Sequence, residues 1–552
     1  MDVTRRGFTR GAVGLALGSQ LAVPIFAQVP AALSPALAAI RAYGEAHRAF
    51  WALPGMTLGV TTPAGFSTVL DFGYANLDAR TAITPDTLFQ VGSISKIMTA
   101  IVLHQFAAEG RFQLTDRMSA LMPELPLPSG NTIQVQHLLD HVGGLPDDAP
   151  LWTPGGLWTA YPPGAHWHYC NTGYEMLGKL AEHLGGKPLE QLLAERIFHP
   201  LGMTRSRGAI VGADRPLYAQ GYEAADMTVP YARGVPLAPA AWVDVTFGAG
   251  SVASTADDMN RFLRFLFDAV QGRGGLGLSP AQTKDLTSHF VPSDTPGMSY
   301  GNGLMHVANA GRSYLHHTGG MVSFSSSFHV DMANGVGAFA SSAFSAYAEY
   351  RPRLVTRFAV DAITAALSGK PVPTPPPIDT PVANASTYVG RYSGPAGSFE
   401  VHAGGPLTLV ANGASAALQP WGGEIFRTTH PAFRDFSLMF ERKGASVTGA
   451  NWGPSNYRKG AVVGPIPASD PALAKLSGRY VNDSPWVGTA RVVERGGKLW
   501  IGTDTPMTSI GKNLWRVGEQ SWSPERASFA NFIDDRPQTF IFSGEKFYRH
   551  DI

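Results

Sequence analysis

Phe89-Gln90-Val91-Gly92-Ser93-Ile94-Ser95-Lys96 decides how this chain is read, because it sets a serine and a lysine three apart where turn-like sequence gives way to an apolar helix. A helix turns about 100° per residue, so positions i and i+3 share a face. If the helix opens near Ser93, the Lys96 amine meets the Ser93 hydroxyl. An amine desolvated enough to be partly neutral can take that hydroxyl's proton and make it a nucleophile. S-x-x-K is a short pattern, and Ser95 reads equally well as a polar first-turn residue. The motif gains weight only from partners downstream.

Two stretches supply them. Tyr169-Cys170-Asn171 sits within Pro163-Gly164-Ala165-His166-Trp167-His168 and Thr172-Gly173-Tyr174. A tyrosine and an asparagine two apart can project side by side from a loop. The phenol could relay a proton, and the amide could hydrogen-bond a substrate carbonyl and Lys96. Further on, His317-Thr318-Gly319-Gly320 leads into apolar and serine-rich residues that read as a strand continuation. Glycines there let a substrate backbone lie close, and the Gly320 N–H could point at a developing oxyanion.

The chain has 552 residues, which predicts two to three domains. A net charge of +1 without charged blocks gives no footprint for nucleic acid. With 62 glycines and 42 prolines the protein is rich in turns. A single cysteine, Cys170, excludes an internal disulfide framework and any cysteine-rich metal site. Thr4-Arg5-Arg6-Gly7-Phe8 precedes a modest apolar run from Gly11 to Phe26, so residues 1–27 read as a twin-arginine-type export signal. The run is shorter than a spanning helix needs and contains Pro24. The expectation is a periplasmic or secreted protein with no stable membrane span after signal removal.

Residues 31–367 read as one α+β unit. A helix is predicted over Ser34 to Trp51, strands over Met56–Thr61 and Ser67–Leu70, and an apolar helix from Ser93 to Ala108. Further helices are predicted from Gly173 to Leu184, Leu189 to Ile197 and Ala256 to Ala269, the last after an N-cap at Ser254-Thr255. Strands return at Ser313–His316, Ser325–Val330 and Val336–Ser341. This order predicts first and last strands joined in one antiparallel sheet flanked by helices. The proline-rich stretch at 368–384 reads as a semi-rigid linker. Beyond it, Tyr388-Val389-Gly390-Arg391-Tyr392 answers to Leu476-Ser477-Gly478-Arg479-Tyr480. Trp421 to Arg427 answers to Ile510 to Arg516, and Tyr457-Arg458 to Tyr548-Arg549. Offsets of about 90 residues predict two related small antiparallel β-barrel modules, at 385–465 and 470–552.

The three catalytic elements resemble, in order and spacing, those of the serine β-lactamase and penicillin-recognising superfamily, and most closely its class C-like branch. Leu138-Leu139-Asp140-His141-Val142-Gly143-Gly144-Leu145-Pro146 is similar to that family's LLxHTSGLP stretch, departing at Val142 and Gly143. Gly110 to Asp116, Pro200-Leu201-Gly202-Met203 and Gly250 to Ser254 also match. The resemblance implies a β-lactamase/transpeptidase-like catalytic domain. It implies Ser93 as nucleophile, Lys96 as its activator, Tyr169 as general base that later protonates the leaving group, and Asn171 as substrate-positioning. His317 takes the place a lysine holds in most class C β-lactamases. Thr318 and Gly319 belong to the same motif, and the N–H groups of Ser93 and Gly320 would form the oxyanion hole. The reaction implied is acyl transfer through an acyl-serine, with no cofactor and no metal.

A histidine is a weaker cation than lysine at neutral pH, which argues against potent turnover of anionic β-lactams. A catalytic domain with two β-barrel modules resembles the bacterial D-aminopeptidase layout, in which a loop of the last module reads the substrate's free amine. Asp504, Glu519 and Glu525 are the acidic candidates for that task. The expected partner is a small molecule or short peptide, of cell-wall origin on this reading. Amide, ester and β-lactam carbonyls all suit the same serine, lysine and tyrosine, so an esterase or β-lactamase is the alternative. A non-catalytic β-lactam or peptidoglycan sensor is disfavoured because serine, lysine and tyrosine are all present. His137 with His141, and His166 with His168, admit a zinc reading, but H-L-L-D-H lacks the glutamate of H-E-x-x-H. No G-x-S-x-G elbow surrounds Ser93.

Overall fold

The computed structural model describes residues 30–153, 155–309, 311–379, 381–460 and 468–550. The export signal expected at 1–27 lies outside the described residues. No described helix is long and apolar enough to cross a membrane.

Helix α1 (Ser34–Trp51) buries Ala36, Ile40, Tyr43, Gly44 and His47, a stripe at helical spacing, and ends where Ala52 turns left-handed. Strands β1 (Gly55–Thr61) and β2 (Ser67–Asn76) form a hairpin. Helix α2 (Ser95–Ala108) is buried almost all round, helix α3 spans Asn171–Gly185, and helix α4 spans Ala256–Val270. The Thr255 hydroxyl accepts from Asp258 N at 3.3 Å, the N-cap that the sequence indicates. Strands β3 (Met298–Gly301), β4 (Leu304–Asn309), β5 (Arg312–Gly320), β6 (Ser325–Asp331) and β7 (Gly337–Ser342) precede helix α5 (Arg353–Leu367).

The main sheet runs β2-β1-β7-β6-β5-β4-β3 with short strands at either edge. First and last strands do pair antiparallel, Met56 opposite Ser342 and Leu58 opposite Ala340. The sheet is covered on both faces, which is why β1, β6 and β7 are buried along their whole length rather than alternately. One face packs Leu58, Val60 and Ala340 against Ile40 of α1 and Phe358 of α5. The other packs Leu315, Phe328 and Phe339 into the core shared with α2, α3 and α4.

Val372 and Ile378 of the proline-rich stretch lie against the α1–α5 layer. The two β modules have the related architecture expected. In the second, eight strands close into a barrel. In the first, the strands at the ends of the order, Ala414–Ala417 and Gln419–Gly422, are separated only by Leu418, so the module is a nearly closed barrel with one broken strand. The repeat is visible in side-chain bonding. The Tyr392 hydroxyl donates to Tyr388 O at 2.7 Å, and the Tyr480 hydroxyl donates to Leu476 O at 2.8 Å. The last repeated pair needs a correction of one residue. Tyr392 sits opposite Lys459 and Tyr480 opposite Arg549, so buried Tyr457 corresponds to buried Phe547 and not to exposed Tyr548. The inward or outward direction of a strand residue decides the alignment, and Tyr-Arg identity misleads.

Candidate active site

Local backbone geometry presents Ser93 to the cleft. Gly92 holds a left-handed φ of 55°, and a Cβ there would lie 2.7 Å from Gly320 N. A single 3-10 turn, Gly92–Ile94, then leads into α2. Ser95 serves that turn: its hydroxyl donates to Gly92 O at 2.7 Å and accepts from Val252 N at 3.0 Å. Ser93 is therefore half-exposed, whereas Lys96, one turn on, is fully buried.

The Lys96 amine donates to Ser93 Oγ at 3.1 Å, to Asn171 Oδ1 at 2.6 Å and to Ala249 O at 3.0 Å. Burial lowers its pKa from 10.5 to about 7, against the opposing pull of the Asp147 and Asp148 carboxylates. The amine lies 4.9 Å from the centre of the Tyr169 ring. Burial drives the Tyr169 phenol in the other direction, well above its ordinary value, and its hydrogen bond with Ser93 offsets only part of this. Around neutral pH the phenol keeps its proton while the amine is poised to lose one.

Tyr169 and Asn171 do not both project from a loop. Cys170 is the N-cap of α3, its sulfur accepting from Gly173 N at 3.2 Å and its thiol donating to Pro146 O at 3.2 Å. Asn171 is thus the first helical residue. Its Nδ2 donates to Asp148 Oδ1 at 3.0 Å, which turns Oδ1 toward Lys96. His141, in a left-handed conformation at φ 61°, accepts from Cys170 N through Nδ1 at 3.1 Å. Its ring centre lies 4.4 Å from that of Tyr169 and 4.5 Å from that of Tyr300.

His317 lines the cavity at the end of β5. Its Nδ1 lies 2.5 Å from Thr318 O and its Nε2 lies 3.2 Å from the Tyr300 hydroxyl. A carbonyl oxygen can only accept, so Nδ1 carries the proton and Nε2 accepts from the phenol. Burial, with Lys96 nearby, lowers the pKa to about 3, and the imidazole is neutral at physiological pH. Thr318 and Gly320 also face the cavity. Gly319 does not. A Cβ there would fall 1.9 Å from Val91 O, so this glycine lets β5 lie directly against the nucleophile segment.

The cavity holds about 680 Å³. Phe247, Met305, Met321 and Trp486 supply its apolar wall, and Asp148, Glu175, Glu545 and Arg351 its charged groups. Burial raises the pKa of each of the three carboxyls. Trp486 and Glu545 come from the last module. The Tyr347 hydroxyl shares its proton between Pro485 O, at 2.8 Å, and Trp486 O, tying that module's loop to the catalytic domain beside the cavity. None of the three acidic candidates chosen from sequence lines the cavity. Asp504 lies beside Arg427 and Arg495, Glu519 is exposed on a bend, and both Glu525 oxygens are engaged away from the cavity. Sequence reasoning missed Glu545, which sits on a β-hairpin after Gly544 with no local signal beyond its charge.

The histidines that admit a zinc reading have other partners. His137 Nδ1 accepts from Gln134 N at 3.1 Å, His166 stacks on Trp522 with ring centres 4.6 Å apart, and His168 Nε2 lies 3.0 Å from Glu525 Oε1. Among the described residues no group of three or more histidine, cysteine or carboxylate side chains is arranged to hold a metal ion.

The family model described as Beta-lactamase matches residues 45–357, which span every element of this site except the last module's contribution. The chain belongs to the β-lactamase family. A β-lactamase of Escherichia coli (strain K12) is 29% identical over 227 residues, covering 38% of this chain and 56% of that relative. The chain therefore spans little more than half the length of that curated relative. The octameric penicillin-binding protein homologue from Pyrococcus abyssi superposes with a TM-score of 0.55 at 22% identity, over 77% of this chain and all of its own. The D-amino acid amidase from Ochrobactrum anthropi SV3 superposes with a TM-score of 0.50 at 24% identity, over 60% of this chain and 99% of its own. These structures share the fold, and the family's members act as serine hydrolases.

Proposed function

We propose that this chain is a D-aminopeptidase-like serine hydrolase, cleaving amide or peptide bonds in small substrates whose acyl part carries a protonated amine. The observation that carries acyl transfer is the buried Lys96 amine, 3.1 Å from Ser93 Oγ with its pKa near neutrality. Neutral Lys96 takes the Ser93 proton as Oγ attacks the carbonyl carbon. The N–H groups of Ser93 and Gly320 receive the oxyanion. Tyr169, still protonated, donates to the departing nitrogen, and its phenolate recovers a proton from the Lys96 ammonium. Water then releases the acyl group by the reverse relay. This division gives Lys96 the role of base and Tyr169 that of acid, in place of the general-base role that resemblance implies for Tyr169.

The substrate assignment rests on charge. Asp148, Glu175 and Glu545 face one cavity in which, among the described residues, Arg351 is the one lining guanidinium. An ammonium placed among three carboxylates relieves their mutual repulsion. Neutral His317 removes the cation that would draw a carboxylate to the end of β5. The D-amino acid amidase of the same fold is compatible with D-configured substrates, and the export reading of residues 1–27 with peptides of cell-wall origin. Arg351 favours a second reading, hydrolysis of an anionic β-lactam.

The test is initial rates on D-alanine p-nitroanilide, with L-alanine p-nitroanilide, p-nitrophenyl butyrate and nitrocefin alongside and Ser93→Ala as control. Turnover of the D-anilide that vanishes in Ser93→Ala is expected. Turnover of nitrocefin or the ester alone would replace the amine-substrate reading, and a rate that survives Ser93→Ala would remove Ser93 as nucleophile.

A further inference from the structure

The last module touches the reaction at more than the cavity wall. We infer that Glu525 is a positioning residue, holding the Asp147–Asp148 turn and, through it, the Asn171 amide that orients Lys96. This rests on the acyl-transfer reading above and adds to it a remote group on which the nucleophile depends.

The connection can be followed atom by atom. Glu525 Oε1 accepts from Asp147 N at 2.9 Å and lies 3.0 Å from His168 Nε2, while Oε2 accepts from the Ser543 hydroxyl. Asp147 Oδ1 in turn accepts from Asn171 N at 2.8 Å, and Asp148 Oδ1 accepts from Asn171 Nδ2 at 3.0 Å. Asn171 Oδ1 then meets the Lys96 amine at 2.6 Å. An asparagine amide is nearly symmetric in shape, and the Asp148 acceptor at Nδ2 together with the Lys96 donor at Oδ1 sets which end faces the lysine. The turn bearing Asp148 is fixed from the far side by Glu525.

Neighbouring contacts explain why this point is rigid. Pro524 O accepts from Trp158 Nε1 at 2.8 Å, and Trp522 stacks on His166 with the two planes 6° apart. The segment from Trp522 to Glu525 therefore grips the catalytic domain at Asp147, Trp158, His166 and His168, in the chain leading up to Tyr169 and Asn171. Glu525 itself is only 15% exposed. Burial alone would favour its neutral form, yet the hydrogen bonds from His168, Ser543 and Asp147 N hold its pKa below the ordinary glutamate value. A carboxylate so fully engaged is unsuited to receive a substrate amine. A group with only an oxygen acceptor at Oε1 retains the bond to Asp147 N.

The experiment is a double-mutant cycle in the full chain, read as kcat and KM on the anilide that the wild type turns over. Glu525→Ala is expected to lower kcat about 30-fold with KM changed less than about threefold. Glu525→Gln, which keeps the oxygen acceptor, is expected to recover most of that loss. In an Asn171→Ala background, Glu525→Ala is expected to cost less than about threefold more, because its effect passes through Asn171. Additive losses in the two backgrounds, or wild-type kcat in Glu525→Ala, would overturn the inference. Should Glu525→Ala not fold, Glu525→Asp, whose shorter side chain draws the carboxylate back from Asp147 N, takes its place in the cycle with the same expectation of non-additivity. Ser93→Ala keeps the two claims apart: activity surviving there defeats the acyl-transfer reading, whereas loss there with an uncoupled Glu525 defeats only this inference.

Discussion

Replacing Lys96 tests the central electrostatic claim through two independent readouts. The lysine has three hydrogen-bond acceptors and no exposed surface, and burial lowers its pKa from 10.5 to about 7. Each pKa unit corresponds to about 1.4 kcal/mol, so the fold disfavours the ammonium by an amount on the order of 5 kcal/mol. If neutral Lys96 is the base, kcat/KM should rise with pH to a midpoint near 7 and fall about tenfold per unit below it. Lys96→Arg keeps a cation but cannot deprotonate, and should lose activity by about a thousandfold or more. Stability supplies the second readout. Between pH 7 and 10.5 the unfolded lysine holds a proton that the folded one has released, so the wild type gains stability as pH rises through that window. Lys96→Met has no such dependence. Its stability relative to wild type should therefore fall by roughly 3 kcal/mol between about pH 6 and about pH 9.5, measured by urea denaturation at each pH. A flat rate profile from about pH 5 to about pH 8, or an equal Lys96→Met effect at both pH values, would refute the reasoning.

Three other substitutions have defined outcomes. Cys170→Ala removes the sulfur that accepts from Gly173 N, and should cost about 1 kcal/mol in a denaturation curve while leaving turnover intact, since the thiol faces Pro146 O and not the cavity. Gly319→Ala would force a Cβ to 1.9 Å from Val91 O, backbone that cannot step aside. It should cost about 3 kcal/mol and displace Ser93, seen as a lower melting temperature with kcat reduced. Glu545→Gln should raise KM for an amine-bearing anilide by about tenfold and leave KM for an uncharged ester unchanged, because it removes one carboxylate of the three in the cavity. Equal effects on both substrates would show that Glu545 shapes the wall without reading charge.

Local chemistry made much of the catalytic domain legible. Gly92-Ser93-Ile94-Ser95-Lys96 carries its geometry in adjacent residues, because a spacing of three across the 3-10 turn and the start of α2 brings Ser93 and Lys96 together. The helix at Ser34–Trp51 and the N-cap at Thr255 were readable for the same reason: stripe spacing and capping chemistry act within a few residues. The start of α3 was not, because its cap is a cysteine sulfur at a position where serine, threonine, aspartate or asparagine is the usual signal.

What escaped sequence reading depends on packing between distant segments. Charge marked Asp504, Glu519, Glu525 and Glu545 alike, and nothing local separates them. Their fates are set by how the last barrel docks: Glu525 meets Asp147, 378 residues away, while Glu545 reaches the cavity. His317 shows the same division from the other side. Its place in the motif was readable, but its neutral state follows from burial and from Lys96 nearby, which outweigh the hydrogen bond to Thr318 O. A lysine there would stand close to Lys96 as a like charge, and on the proposed reading the carboxyls of this cavity receive the ammonium of the substrate. On the proposed reading, histidine at 317 and acids at 148, 175 and 545 are two parts of one arrangement: the end of β5 carries no fixed positive charge, and the cavity wall carries three carboxyls beside Arg351. An anionic substrate would meet those three carboxyls as like charges, and this is the physical ground on which the proposal expects an amine-bearing amide.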